Sequence, residues 1–129
     1  GQPEVKLGII PGGEGTQRLP RLAGVGKALD MCVFGEPVSA PDALQAGIID
    51  DLIEGDLLAG ALVFAERVAA MPPPRASQRQ DRLGTPEANA TLFAEFHASA
   101  NKRMRGQTAP HAAIEAIQAA TELPFEEGC

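Results

Sequence analysis

With 129 residues, 44% hydrophobic side chains, only 4% aromatic ones and no Trp or Tyr, the chain is one domain's worth of polypeptide whose core must come from aliphatic side chains and closely packed alanines. A formal net charge of −6 argues against a nucleic-acid-binding protein, because neutralising phosphates takes a basic footprint. Cys32 and Cys129 give neither a metal spacing nor a disulfide framework and suit a reducing compartment, and no apolar run is long enough to span a membrane.

Beginning at Gly1 in mid-motif, with no initiating Met and no signal peptide, the sequence is expected to be part of a longer polypeptide. Val5 to Ile10 is a short apolar run bounded by Pro3 and by Pro11-Gly12-Gly13, which predicts a brief strand or extended segment entering a glycine-rich loop. Glycines at 12, 13 and 15 let backbone N–H groups approach a ligand without Cβ interference, and Thr16 is placed to cap the next helix, whose positive end faces the same space. Glu4, a few residues upstream, makes this a plausible piece of an acid/base site, although a glutamate beside a short strand is most often a solvated surface group.

From Thr16, Leu19 and Leu22 mark an apolar face; after a Gly24-Val25-Gly26 break, Leu29, Met31, Cys32 and Val33 mark a second helix, ended by Gly35 and Pro37. Ser39, with Asp42 three residues on, opens a helix through Ala46 that Gly47 closes in the left-handed conformation, and Ile48-Ile49 continues extended. Asp56 caps the clearest helix, where Leu58, Ala61, Leu62, Ala65, Val68 and Ala69 recur at helical spacing and predict one buried face; Pro72 to Pro74 forbid its continuation. Arg75 to Gly84 reads as a polar loop. A long helix starts near Pro86 and runs to about Met104, and a last one follows Pro110. The chain thus divides into residues 1–71, a Pro/Arg-rich linker at 72–85, and a helical region at 86–129.

Competing motifs fail. Gly13-Glu14-Gly15 lacks the further glycine of a dinucleotide fingerprint, and Gly26-Lys27-Ala28 lacks the parts of a phosphate-binding P-loop. His97 and His111, far apart in sequence, read as core or surface groups rather than metal ligands, and Phe93 and Phe96 as core. Two basic groups, Arg75, Arg79 and Arg82, and Lys102, Arg103 and Arg105, are of a kind that meets phosphates, but read first as solvated faces.

Pro3-Glu4-Val5, Leu7-Gly8-Ile9-Ile10-Pro11-Gly12 and Gly15-Thr16-Gln17-Arg18-Leu19-Pro20-Arg21-Leu22 resemble the segment that carries the second catalytic glutamate in the enoyl-CoA hydratase (crotonase) family. Val38 to Asp50 resembles the family's next helix and turn. Arg105 to Pro110 and Leu123 to Gly128 are similar to the join in multifunctional fatty-acid oxidation proteins, where a hydratase is fused to a 3-hydroxyacyl-CoA dehydrogenase. The resemblance implies an α/β crotonase-type fold, truncated, with this chain mainly α-helical and one or two short strands in its N-terminal part. It further implies reversible hydration of a trans-2-enoyl-CoA in β-oxidation; a double-bond isomerase and a non-catalytic oligomerisation or docking segment are the alternatives.

On that resemblance Glu4 protonates C2 of the thioester while a second glutamate handles the water, and Gly12 offers its backbone N–H to the water or the acyl group. Glu14 departs from the family's usual glycine; it is expected to support the helix start, and its place near the acyl pocket bears on substrate preference. The family's first glutamate and oxyanion hole lie upstream of the segment where Gly1 stands, so the chain alone is expected to be inactive. Hydration requires no metal or organic cofactor, and NAD enters only if a dehydrogenase follows. The implied partners are an acyl-CoA substrate and further copies in a homo-oligomer; the implied compartment is the cytoplasm or, in a eukaryote, the peroxisomal or mitochondrial matrix.

Overall fold

Proline and glycine punctuate a chain whose regular elements are all helical. The computed structural model describes residues 1–129 and contains seven α-helices: α1 (Gly15–Ala23), α2 (Val25–Phe34), α3 (Ala40–Gln45), α4 (Leu57–Val68), α5 (Pro86–Arg103), α6 (Ala109–Glu122) and the short α7 (Phe125–Gly128). Two 3-10 turns, Pro3–Leu7 and Ala76–Gln78, complete it, and there is no strand.

The strand expected at Val5 to Ile10 is therefore corrected. Pro3 stands in the first turn of a 3-10 helix and Gly8, at φ +78°, closes it. The Gly8 N–H donates to the Val5 carbonyl at 3.0 Å and the Ile9 N–H to that of Glu4 at 3.3 Å. An extended segment needs a neighbour to take its backbone hydrogen bonds, whereas a turn satisfies them locally. Thr16 is likewise not the cap of α1: it lies buried inside the helix, and the cap position is Glu14. The Glu14 carbonyl accepts from the N–H groups of Gln17 at 2.9 Å and Arg18 at 2.8 Å.

The core is aliphatic, as the composition requires. α2 packs against α1, α5 and α6, bringing Leu19, Leu29, Val33, Phe93, Ile114 and Ile117 into one cluster. Ala28, Ala100 and Ala113 are fully buried in it, where their small size lets the helix backbones approach closely. Phe34 and Phe96 stack with ring centres 5.8 Å apart.

Helix α4 stands apart. Asp56 caps it as expected, its carboxylate accepting from the Ala59 N–H at 3.0 Å, but the expected buried face is missing. No residue of α4 is buried, and Leu58 is 71% and Leu62 57% exposed. Capping and periodicity are enough to form the helix, but no other element of the chain lies over its apolar stripe.

Candidate functional site

Glu4 is held on the first 3-10 turn, directly before Val5, whose buried side chain anchors the turn against α2. Its carboxylate is half-buried: the Oε2 atom is shielded from solvent and hydrogen-bonds to nothing in the chain. Native folds rarely leave a buried oxygen unpaired, so such an atom calls for a partner that the chain itself does not supply. Beneath it lies Cys32, fully enclosed in α2; burial, and then the Glu4 charge, push its thiol up to about 12. It is a neutral packing group, not a nucleophile.

Downstream, Gly13 at φ +57° and Glu14 at φ +63° are two consecutive left-handed residues that swing the chain into α1. Glu14 forms an ion pair with Arg18 one turn on, and its carboxylate takes no hydrogen bond from the first backbone N–H groups of α1. Gly15 must be glycine for space, since a Cβ there would lie 2.9 Å from the Pro11 Cβ. Gly12 differs from both. Its φ is outside the left-handed range and a Cβ would meet nothing within 4 Å, so neither backbone nor packing within this chain demands glycine there. The open space beside it is a cavity of about 340 Å³, walled by Ile10, Pro11, Gly12, Glu14, Gln17 and Gly128 among others. Glu4 is not in that wall; it sits on the adjoining turn.

The sequence reading missed a polar lock on α1. Gln17 and Arg21, only 1% and 2% exposed, hold the end of the chain to this helix. The Gln17 Nε2 donates to the Ala116 carbonyl at 2.8 Å. Arg21 Nη1 donates to the Gln17 carbonyl at 2.8 Å, and Arg21 Nη2 reaches the Leu123 carbonyl at 3.5 Å. The Phe125 ring lies under two guanidiniums, Arg21 at 5.1 Å and Arg18 at 5.4 Å, a cation–π arrangement. Burial draws Arg21 below the ordinary arginine value, opposed by the nearby Cys129 and Glu126. Their burying partners stand about a hundred residues away, so spacing along α1 alone held no signal for this lock.

His97 and His111, separated in sequence, are brought together across α5 and α6 with Nδ1 atoms 2.8 Å apart and rings stacked at 5.1 Å. No third His, Cys, Asp or Glu joins them in a metal-type cluster. In the second basic group, Arg103 lies over the Phe34 ring at 3.7 Å. No helix is long and apolar enough to cross a membrane.

Comparison with known proteins defines the class. Residues 1–123 match the family model described as enoyl-CoA hydratase/isomerase, and the chain belongs to that family. It is 42% identical over 130 residues to the peroxisomal bifunctional enzyme of Danio rerio, covering 99% of this chain and 18% of that protein. The peroxisomal bifunctional enzyme of Homo sapiens is 36% identical over 128 residues, again 99% and 18%. The fatty acid oxidation complex subunit alpha of Shewanella loihica is 37% identical over 122 residues, 92% of this chain and 17% of that protein. The chain thus spans less than a fifth of the length of these relatives. The resemblance read from residues 3–22 holds at the level of the family, and a mainly helical chain is what the structure contains.

Proposed function

We propose that this chain carries the proton-donating half of an enoyl-CoA hydratase site, and that the longer protein adds water reversibly across a trans-2-enoyl-CoA in fatty-acid β-oxidation. The observation that carries this reading is the unpaired, buried Oε2 of Glu4 beside a glycine loop that opens a helix, in a chain of the hydratase/isomerase family. In the addition direction the water oxygen bonds to C3 as the second carboxylate takes its proton, electron density moves through C2 onto the thioester oxygen, and that density returns to C2 as a proton held by Glu4 passes there. A positioned proton donor contributes ~10²–10⁴-fold to such a step. The Gly12 N–H faces the water or the acyl group, with the cavity beside it receiving part of the substrate.

The second carboxylate and the oxyanion donors belong to sequence upstream of Gly1. Loss of a single oxyanion donor costs ~10²–10³ in turnover, so the chain by itself is silent. The step requires neither metal nor organic cofactor; NAD enters only with a dehydrogenase region. The name of the animal relatives favours a peroxisomal setting in an animal; a cytoplasmic setting in a bacterium belongs to the same proposal. Homo-oligomer formation belongs to the same proposal, and the uncovered leucines of α4 favour a docking role for that helix alongside catalysis.

The test compares three proteins on a short trans-2-enoyl-CoA: a chain extended upstream through the first glutamate, the same chain with Glu4→Gln, and residues 1–129 alone. Hydration by the first, a loss of two or more orders of magnitude in the second and silence from the third are expected. Full activity in Glu4→Gln would remove Glu4 from the chemistry. Double-bond migration without hydration by the extended chain would make the protein an isomerase.

A further inference from the structure

Between α1 and the segment after the triple proline, the surface opens into a cavity of about 470 Å³, within the range of small-molecule sites. Its polar wall holds Arg18, Arg75, Ser77, Arg79 and a single carboxylate, Asp50. The 3-10 turn Ala76–Gln78 packs on α1 and holds these groups together. In a chain of net charge −6, three guanidiniums against one acid is a local reversal of sign.

The donors of these arginines are largely unspent. Arg18 uses Nη2 on Glu14. Arg79 uses Nε and Nη2 on Asp81, at 3.5 and 3.4 Å. Neither Glu14 nor Asp81 is part of the cavity wall, which leaves Nη1 of both arginines without a partner. Arg75 forms no ion pair and no side-chain hydrogen bond. Arg82 stands at the edge and is occupied, donating to the Ala46 carbonyl at 2.7 Å.

We propose that this cavity binds a phosphate-bearing ligand of the diphosphate or phosphomonoester class, anchored by Arg75, with Nη1 of Arg18 and Arg79 and the Ser77 hydroxyl donating to the remaining oxygens. A planar fork of N–H donors matches the oxygens of a phosphate, and several forks around one space call for an anion with more oxygens and more charge than a carboxylate has. The cavity has room for an organic portion beyond the phosphate. The proposal does not rest on the hydratase reading, since neither Glu4 nor Gly12 takes part.

The test is an amide NMR titration of residues 1–129 with inorganic pyrophosphate at low salt, following Gly47, Arg75, Ser77 and Arg79. Saturating shifts confined to this wall are expected, weakened at least about tenfold by R75Q/R79Q and by added salt, and unchanged by K102Q/R105Q, which removes the same charge elsewhere. R75Q alone, at an exposed residue with no partner to lose, gives a reduced affinity if the double variant fails to fold. Shifts that never saturate, or that are equal in R75Q and the parent, overturn the proposal. Given binding, displacement of pyrophosphate by coenzyme A, but not by adenosine, assigns the site to the phosphates of an acyl-CoA; no displacement by coenzyme A assigns it to a separate phosphorylated ligand.

Discussion

Replacing Gly12 by alanine distinguishes a glycine kept for a ligand from a glycine kept for the backbone. At position 12 a Cβ meets nothing within 4 Å and the backbone is not left-handed. Alanine there adds no strain and restricts the unfolded chain, a stabilisation of ~0.4–1 kcal/mol. Its neighbours behave oppositely. Gly13 stands at φ +57°, where alanine costs ~1–2 kcal/mol. A Cβ on Gly15 would lie 2.9 Å from the Pro11 Cβ and 3.3 Å from Gln2 Oε1, and forcing that contact apart costs ~1–3 kcal/mol. Three identical substitutions within four residues are therefore expected to split in sign. Urea unfolding with unchanged m-values measures the ordering, and thermal midpoints follow at roughly 3–5 °C per kcal/mol for a chain of this size. In the extended protein, Gly12→Ala is expected to keep the fold while its methyl group obstructs substrate and slows hydration. Destabilisation by Gly12→Ala to the level of Gly13→Ala would refute the reasoning and return Gly12 to the turn. An unslowed hydration rate would show that its N–H does not face the reaction.

The Cys32 thiol titrates at about 12 against an ordinary 9.0, so the unfolded chain gives up that proton first as pH rises. Stability from this source is full below pH about 9 and falls between about 9 and 12; urea midpoints across that window should lose this slope in Cys32→Ala. A thiol reagent at pH 8 should modify the exposed Cys129 alone until denaturant is added, and two reactive thiols in the folded chain would contradict the burial of Cys32. Ile114→Ala, at 0% exposure, is expected to cost ~2–5 kcal/mol. Leu58→Ala, at 71% exposure, should stay within about 0.5 kcal/mol, and an equal cost at both would mean that α4 is covered in solution by another copy.

Local chemistry was the legible part of this fold. Ser39 accepts from the Asp42 N–H at 3.2 Å and Asp56 from that of Ala59 at 3.0 Å, as their positions before helical patterns predict, because a cap is written within four residues. Gly24, Gly35 and Gly47 end their segments for the same reason. Val5 to Ile10 was misread because a short apolar run does not distinguish a strand from a turn, and only a partner strand settles it. Periodicity marked the apolar stripe of α4 but says nothing of what covers it. The His97–His111 contact and the burial of Gln17 and Arg21 depend on helices packing at a distance, which spacing along one helix does not encode. For the site, Glu4 and Gly12 were singled out by likeness to a family motif. Pattern alone gave no reason to separate Glu4 from any surface glutamate, and its orphaned Oε2 is visible only once the turn is folded.

Helix α1 begins at the glycine loop and grips the tail through Arg21, whose reach to Leu123 joins positions 102 residues apart. Lifting Phe125 from its two guanidiniums would open Gln17 and Arg21 to water and loosen the stem from which the loop springs. The shape of the loop is thereby indexed to the seating of one aromatic ring at the far end of the chain, so that a change in the tail is felt first as a change in the mouth of the cavity beside Gly12.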